Sequence, residues 1–170
     1  MSNPILDARE WRYLKKIRLA TSRQMSIVSI TLNAPYECRT KDKLVNFHKK
    51  LALLFEKACP ESDISIERVE LTTDADGPYA LYCTSEDPER VKRFCIAYEE
   101  NGPEKRLLDV DVMTPQGHMI SRGELNFPAR SCFICGHDAR GCIVQKIHPR
   151  CEIIDKVEVL VNDFNKNSRL

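Results

Sequence analysis

The run Leu107-Leu108-Asp109-Val110-Asp111-Val112-Met113 places two carboxylates two residues apart among apolar neighbours. In a strand, that spacing turns Asp109 and Asp111 to one side while Leu108, Val110 and Val112 enter the core. Two carboxylates aimed the same way repel unless a cation lies between them, and Mg²⁺ is commonly held by one or two carboxylates plus substrate phosphates. Asp is depleted in strands, which makes such a pair less casual, although a solvated polar face is the simpler alternative. A second cluster is Cys132-x-x-Cys135, with Cys142, His148 and Cys151 downstream. Thiols at that spacing fit a metal knuckle, and Cys142 with either His148 or Cys151 completes four N/S ligands for Zn²⁺. Free cysteines otherwise pack as small hydrophobes. Arg106, Arg122 and Arg130 flank these signals, with Arg9 and Arg12 near the start and Arg39 further on. Their planar forks suit phosphate oxygens, although most surface arginines are merely solvated. His118, Asp76 and Glu124 are the groups that a fold could bring near the aspartates as a general base, and the sequence does not choose among them.

The elements that must position these residues follow from periodicity. Asp7-Ala8-Arg9-Glu10 has the form of a capping box, and Trp11, Leu14 and Ile17 follow at helical spacing, predicting a helix over 7–20 with Trp11 as its core anchor. Met25 to Leu32 alternates as a half-buried strand. Leu44, Phe47, His48, Leu51, Leu54, Phe55 and Ala58 mark one face of a helix stopped by Pro60, with His48 a packed residue. Ile64 to Leu71 reads as a strand, Thr73 to Pro78 as a turn, and Tyr79 to Cys83 as a returning strand. A helix begins between Ser85 and Glu89, with Pro88 in its first turn and Val91, Phe94, Cys95 and Tyr98 buried. Arg106 to Met113 is a strand, Thr114 to Gly117 a turn, and His118 to Ser121 a second strand. A Cys-rich loop over 128–141 precedes a helix over 142–165, broken near Pro149. The order β-α-β-β-α-β predicts an α+β fold of the ferredoxin-like, split βαβ kind. Its sheet would be antiparallel or mixed, with helices on one face and a C-terminal hairpin, Cys-rich loop and helix appended. A nucleotidyltransferase-like palm is the alternative.

The 170 residues suffice for one domain with its own core, and the reading is a single domain over 1–170. With 26 Lys+Arg against 25 Asp+Glu the formal charge is +1, so any anion-binding surface must be local. No apolar run approaches the roughly 20 residues of a membrane helix, and the first residues are charged where a signal peptide is apolar. A cytoplasmic chain without membrane contact is expected, and its eight cysteines are then reduced thiols rather than a disulfide framework.

Taken together, the segments resemble the citrate lyase holo-acyl-carrier-protein synthase family, the phosphoribosyl-dephospho-coenzyme A transferases. The resemblance rests on Ala8-Arg9-Glu10-Trp11-Arg12, Ser29 to Pro35, Gly77-Pro78-Tyr79-Ala80-Leu81, Val91-Lys92-Arg93 with Glu99-Glu100, Arg106 to Val112, and Ser121-Arg122. Its most specific part is Arg130-Ser131-Cys132-Phe133-Ile134-Cys135-Gly136 with Ala139, Cys142 and His148. The chain departs from the family pattern at Gly102 to Lys105, at Val144 and Lys146, and at Arg39, where a Lys is usual. The resemblance implies that a serine of the apo acyl carrier subunit of citrate lyase attacks the innermost phosphorus of triphosphoribosyl-dephospho-coenzyme A. A phosphodiester forms and pyrophosphate leaves. It further implies Mg²⁺ at Asp109 and Asp111, with Arg106, Arg122, Arg130, Arg9 and Arg39 on the phosphates. A nucleic-acid-binding module or a zinc-stabilised scaffold is the alternative. The sheet strands lack paired exposed aromatics and the charge is near neutral, so no nucleic acid partner is expected.

Overall fold

The computed structural model describes residues 3–167. Its elements are α1 (Pro4–Arg23), β1 (Ser26–Leu32), α2 (Tyr36–Arg39), α3 (Asp42–Glu61), β2 (Glu67–Asp74) and β3 (Gly77–Thr84). After these come α4 (Pro88–Glu100), a 3-10 turn (Glu104–Leu107), β4 (Leu108–Met113), α5 (Ala139–Val144) and α6 (Arg150–Asn167). The strands form one sheet in the order β2-β3-β1-β4, with every neighbouring pair antiparallel. β1 and β2 therefore run parallel with β3 between them, and β3 and β4 run parallel with β1 between them. Each βαβ unit is split by a strand of the other. The α+β class and the antiparallel sheet agree with the sequence reading.

The expected placement of all helices on one face is corrected. α3, α4 and α6 cover one side, where Val28, Ile30, Ala80, Tyr82, Val110 and Val112 meet Phe47, Leu51, Phe55, Cys95, Val157 and Val161. α1 covers the other, packing Ala20 with Ile27, Tyr79, Leu81, Cys83 and Met113. The cause is visible in β3, where every residue is buried. A strand apolar on both sides needs cover on both.

α1 also differs in its cap and its buried side. The Asn3 side chain accepts the Ile5 N–H at 3.1 Å and Pro4 takes the first helical position, so the helix starts one turn before the Asp7 box. Arg12 and Ala20 face the sheet, and Trp11 is 52% exposed beneath the Lys15 ammonium, which lies 4.5 Å from its ring centroid. Trp11 is therefore not a core anchor. The hairpin predicted after β4 reduces to a single Met113–Met119 bridge. Ser121 donates its backbone N–H to Glu124 Oε1 at 2.9 Å, which turns the chain away before a ladder can form. Arg106 and Leu107 lie in the 3-10 turn rather than the strand, and Pro60 sits inside the last turn of α3. The last third holds α5 and α6, separated near Pro149 as the sequence suggested. Among the described residues no helix is long and apolar enough to cross a membrane.

The core side is aromatic around Phe55, whose ring centroid lies 5.1 Å from Tyr98, 5.6 Å from Phe94 and 5.7 Å from Tyr82. Removing Phe55 leaves a cavity that these rings cannot collapse into, whereas removing Trp11 uncovers only surface. Phe55→Ala is expected to cost about 3–5 kcal/mol and Trp11→Ala under about 1 kcal/mol in urea titrations, and equal losses would contradict the packing of α1.

His48 is fully buried, with Nε2 donating to the Ile30 carbonyl at 3.0 Å. Burial pushes its pKa down from 6.5 to about 4, only partly offset by that hydrogen bond. Because the folded value lies below the unfolded one, the neutral ring's contribution is complete above pH 6.5 and is lost as pH falls toward 4. The unfolding free energy from urea titrations should fall across that window by on the order of 3 kcal/mol more in the parent than in His48→Gln. Identical profiles would sink the assignment.

Candidate functional site

Sheet register decides where the two aspartates point. Asp109 pairs with Thr31 and Asp111 with Ser29, so both carboxylates stand on the α1 side of β4. On α1, Arg9, Arg12, Tyr13 and Lys16 fall at positions i, i+3, i+4 and i+7, which is one helical face. These two faces, with Arg39, Asp76, Tyr79 and Asn33, enclose an open cleft of about 360 Å³.

One wall is organised around Asp76, in the two-residue turn between β2 and β3. Its carboxylate receives Arg9 through Nε at 2.9 Å and Nη2 at 2.8 Å, Arg39 through Nη1 at 2.7 Å, and Arg12 through Nη2. Arg12 also reaches Asp74 at 3.3 Å and stacks over the Tyr79 ring. Gly77 follows with φ 117°, and a Cβ there would come within 2.7 Å of the Arg39 Cβ, so glycine is what lets the turn close on Arg39. Burial alone would raise the Asp76 pKa, but the hydrogen bonds and charges of Arg9, Arg39 and Arg12 hold it below the ordinary carboxylate range. Asp76 is thus a fixed anion. Both of its oxygens are engaged by guanidiniums.

The opposite wall carries Asp109 and Asp111. Burial, and then the neighbouring Asp109 charge, push the Asp111 pKa up. Among the described residues no hydrogen-bond donor satisfies the Asp111 carboxylate, and the nearest ammonium, Lys92 Nζ, is 3.8 Å away. Lys16, which donates weakly to Ser29 Oγ at 3.4 Å, has its own pKa lowered by burial and partly restored by Asp111. An under-neutralised carboxylate pair beside a few cations has the chemistry of a Mg²⁺ seat completed by ligand oxygens.

β4 lies at the sheet edge, and its outward backbone groups are bound by side chains and one loop. Val110 N–H donates to Glu99 Oε1 at 2.7 Å, Lys92 Nζ donates to the Val110 carbonyl at 2.8 Å, Arg130 donates to the Leu108 carbonyl, and Ile120 N–H donates to the Val112 carbonyl at 3.0 Å. Glu99 in turn binds Arg130 at 2.7 Å and Arg122 at 2.6 Å. This bracket holds β4, and with it the register of both aspartates.

The candidates of the sequence separate accordingly. Arg9, Arg39, Asp109 and Asp111 line the cleft together, and Arg130 touches Asp109 at 3.4 Å from the bracket side. Arg122 ends on Glu99 and Glu100, and Arg106 on Ser131, so neither is among the residues lining the cleft. His118 and Glu124 pair with each other at 2.6 Å in an exposed loop and do not line it either. The structure adds Lys16, Asn33 and Lys92 to the residues at or beside the cleft. The spacing of Lys16 with Arg9 and Arg12 carries a helical signal, whereas Lys92 reaches the Val110 carbonyl of β4, and Asn33 the Leu107 carbonyl just before it, only through tertiary packing.

The other cluster also assembles. Cys132, Cys135, Cys142 and His148 each offer a ligand atom, all within 4.8 Å of one another, while Cys151 is exposed and outside the set. Cys135 Sγ lies 3.5 Å from Cys142 Sγ and 3.3 Å from His148 Nε2. Cys38, Cys59, Cys83 and Cys95 are buried free thiols, as expected of packing residues. Next to the cluster is a second cavity of about 500 Å³, lined by Pro35, Phe133, Ile134, Ile143 and Ile153 and sharing Asn33 with the cleft.

Comparison with known proteins gives the site its context. The family model for apo-citrate lyase phosphoribosyl-dephospho-CoA transferase matches residues 2–164. The protein CitXG of Leuconostoc mesenteroides subsp. cremoris is 31% identical over 169 residues, covering 98% of this chain but 36% of that protein, so the chain spans about a third of it. The apo-citrate lyase phosphoribosyl-dephospho-CoA transferase of Escherichia coli O7:K1 (strain IAI39 / ExPEC) is 24% identical over 161 residues, covering 95% of this chain and 88% of the relative. That of Escherichia coli O9:H4 (strain HS) is 26% identical over 164 residues, with the same coverage. The segments that carry the resemblance, from Arg9 and Arg12 through Asn33 and Gly77 to Asp109, Asp111 and Arg130, converge on or beside one cleft. On the extent of the family match, this chain belongs to the apo-citrate lyase phosphoribosyl-dephospho-CoA transferase family.

Proposed function

We propose that this chain, as one cytoplasmic transferase domain over 1–170, moves the phosphoribosyl-dephospho-CoA group from triphosphoribosyl-dephospho-CoA onto a serine of the apo acyl carrier subunit of citrate lyase. The serine oxygen bonds to the innermost phosphorus, the bond from that phosphorus to the outgoing pyrophosphate breaks, and the hydroxyl proton is released. The observation that carries this reading is the facing of Asp109 and Asp111 against Arg9, Lys16 and Arg39 across a single cleft. Displacement at phosphorus is mostly positioning and charge neutralisation, which is what such a cleft supplies. Mg²⁺ between the aspartates would polarise the phosphoryl oxygens and stabilise the leaving pyrophosphate. Arg9 and Arg39, held by Asp76, present preoriented donors to the triphosphate, and Lys16 adds charge beside Asp111. The cavity that shares Asn33 offers an apolar slot to the pantetheine arm of the donor. Arg122, Arg130 and Arg106 act behind this surface, holding β4 and the Cys-rich loop in place.

The split arrangement of both βαβ units supports the ferredoxin-like reading of the fold, with the palm of nucleotidyltransferases as the related alternative. Helices on both faces leave no open sheet surface for stacked bases, so nothing favours the nucleic-acid alternative.

Mass spectrometry of the apo carrier incubated with this protein, the donor and Mg²⁺ should show a gain equal to the phosphoribosyl-dephospho-CoA moiety, with pyrophosphate released in step. Asp109→Asn and Asp111→Asn should each lower the transfer rate by at least about 10²-fold while the circular dichroism and urea midpoint stay near the parent's. Full activity in both variants would remove the aspartates from the mechanism, and an unmodified carrier would overturn the reaction itself.

A further inference from the structure

We propose that Cys132, Cys135, Cys142 and His148 form a closed structural Zn²⁺ site that fastens the 131–148 segment onto the sheet. The inference is independent of the transfer reaction and rests on four observations. First, the donor set is complete: three thiols and one imidazole bring their ligand atoms within 4.8 Å of one another. A tetrahedral ion with Zn–S bonds of about 2.3 Å places its sulfurs roughly 3.8 Å apart. The observed 3.5 Å between Cys135 and Cys142 sulfurs and 3.3 Å from Cys135 to His148 Nε2 are of that size.

Second, the backbone is shaped as a knuckle. Ile134 N–H points at Cys132 Sγ at 3.5 Å, Gly136 N–H donates to the Cys132 carbonyl at 2.9 Å, and Gly136 takes φ 79° with open space where a Cβ would sit. Glycine is needed there for the backbone turn alone. Third, the imidazole is oriented from behind: Glu152 Oε2 lies 3.2 Å from His148 Nδ1, leaving Nε2 directed at the sulfurs. A carboxylate behind a histidine that faces thiols is the second-layer arrangement common to metal-ligating histidines. A disulfide between Cys135 and Cys142 would account for neither Cys132 nor His148.

Fourth, apart from Phe133 packing against the core, the segment has little regular structure to hold it. Asp138 caps the six-residue α5 by accepting the Gly141 N–H at 2.8 Å, and the Ser131–Asp138 contact is a single bridge. A helix that short is not stable by itself. Yet Ser131 receives Arg106, and the preceding Arg130 supplies the contacts to Asp109, Glu99 and the Leu108 carbonyl. All four ligand positions are filled by protein, so the ion has no open coordination position and its role is structural.

The test is metal analysis of untagged protein purified without chelator, with one zinc per chain expected. Cys135→Ser and Cys142→Ser should lose the metal, whereas Cys151→Ser keeps it. Because the ligand variants risk misfolding, a second measurement uses the parent chain. Stripping zinc with a thiol-reactive mercurial followed by chelator and reductant should lower the melting temperature by at least about 5 °C, and re-addition of Zn²⁺ should restore it. Substitution with Co²⁺ should give the visible absorption of a tetrahedral thiolate site. A folded, reduced chain that is isolated without zinc and takes up neither Zn²⁺ nor Co²⁺ overturns the proposal, as does a Cys135–Cys142 disulfide in the isolated protein.

Discussion

Three guanidiniums converge on one buried carboxylate, and the cleft depends on that junction. Asp76 joins α1 through Arg9 and Arg12 to α2 through Arg39, and it does so from the tip of the β2–β3 hairpin. Without it, three like charges would face one another in a half-buried pocket; loss of one partner from a buried ionic group costs on the order of 3–5 kcal/mol. The side chain of Asp76 is 5% exposed and that of Arg12 9%, so solvent does little to screen the interaction. Arg9 is half exposed at 49%, so one of its flanks remains open to the cleft. The junction thus trades part of its positive charge for fixed orientation. That exchange suits a polyanionic ligand, because donors already aimed need no reorganisation when the ligand arrives.

Opposite Asp76, the logic is reversed. Asp111 has no donor of its own among the described residues and stands beside Asp109, so this wall is short of positive charge where the first is rich in it. The two walls come from elements far apart in sequence, and only the sheet order β2-β3-β1-β4 brings them within one cleft. A fold that placed β4 beside β2 would have put the aspartates on the far edge from α1.

Much of this is legible in the sequence itself. The alternation around Asp109 and Asp111 is a purely local property, and it survives because strand period depends on nothing else. The spacing of Leu44, Phe47, Leu51 and Phe55 was likewise enough for α3 and its buried side. What local pattern could not supply was the choice of partner. Trp11 looked like an anchor because helices usually bury their largest apolar residue, yet α1 lies over a surface that includes the polar cleft, and so Arg12 and Lys16 turn inward instead. Arg106 and Arg122 resembled phosphate ligands by type and proximity in sequence. Their carboxylate and hydroxyl partners, Glu99, Glu100 and Ser131, are decided by tertiary packing. The choice between His148 and Cys151 in the cysteine cluster was equally beyond spacing, since it depends on where the break between α5 and α6 turns the chain.

The two borders of the sheet are finished in different ways. β2 carries Glu67, Arg68 and Glu70 in ion pairs with Arg23, Glu56 and Lys15, with a register shift between Arg68 and Glu70. Charge and irregularity of that kind discourage another strand from joining. β4 has no such charges on its outer rim. There the carbonyls of Leu108, Val110 and Val112 and the Val110 N–H are taken by Arg130, Lys92, Ile120 and Glu99. Most of the hydrogen-bonding groups a neighbouring strand would need are therefore engaged within the chain. An added strand would first have to displace side chains that also hold the register of Asp109 and Asp111, so lengthening the sheet at this border would disturb the cleft itself.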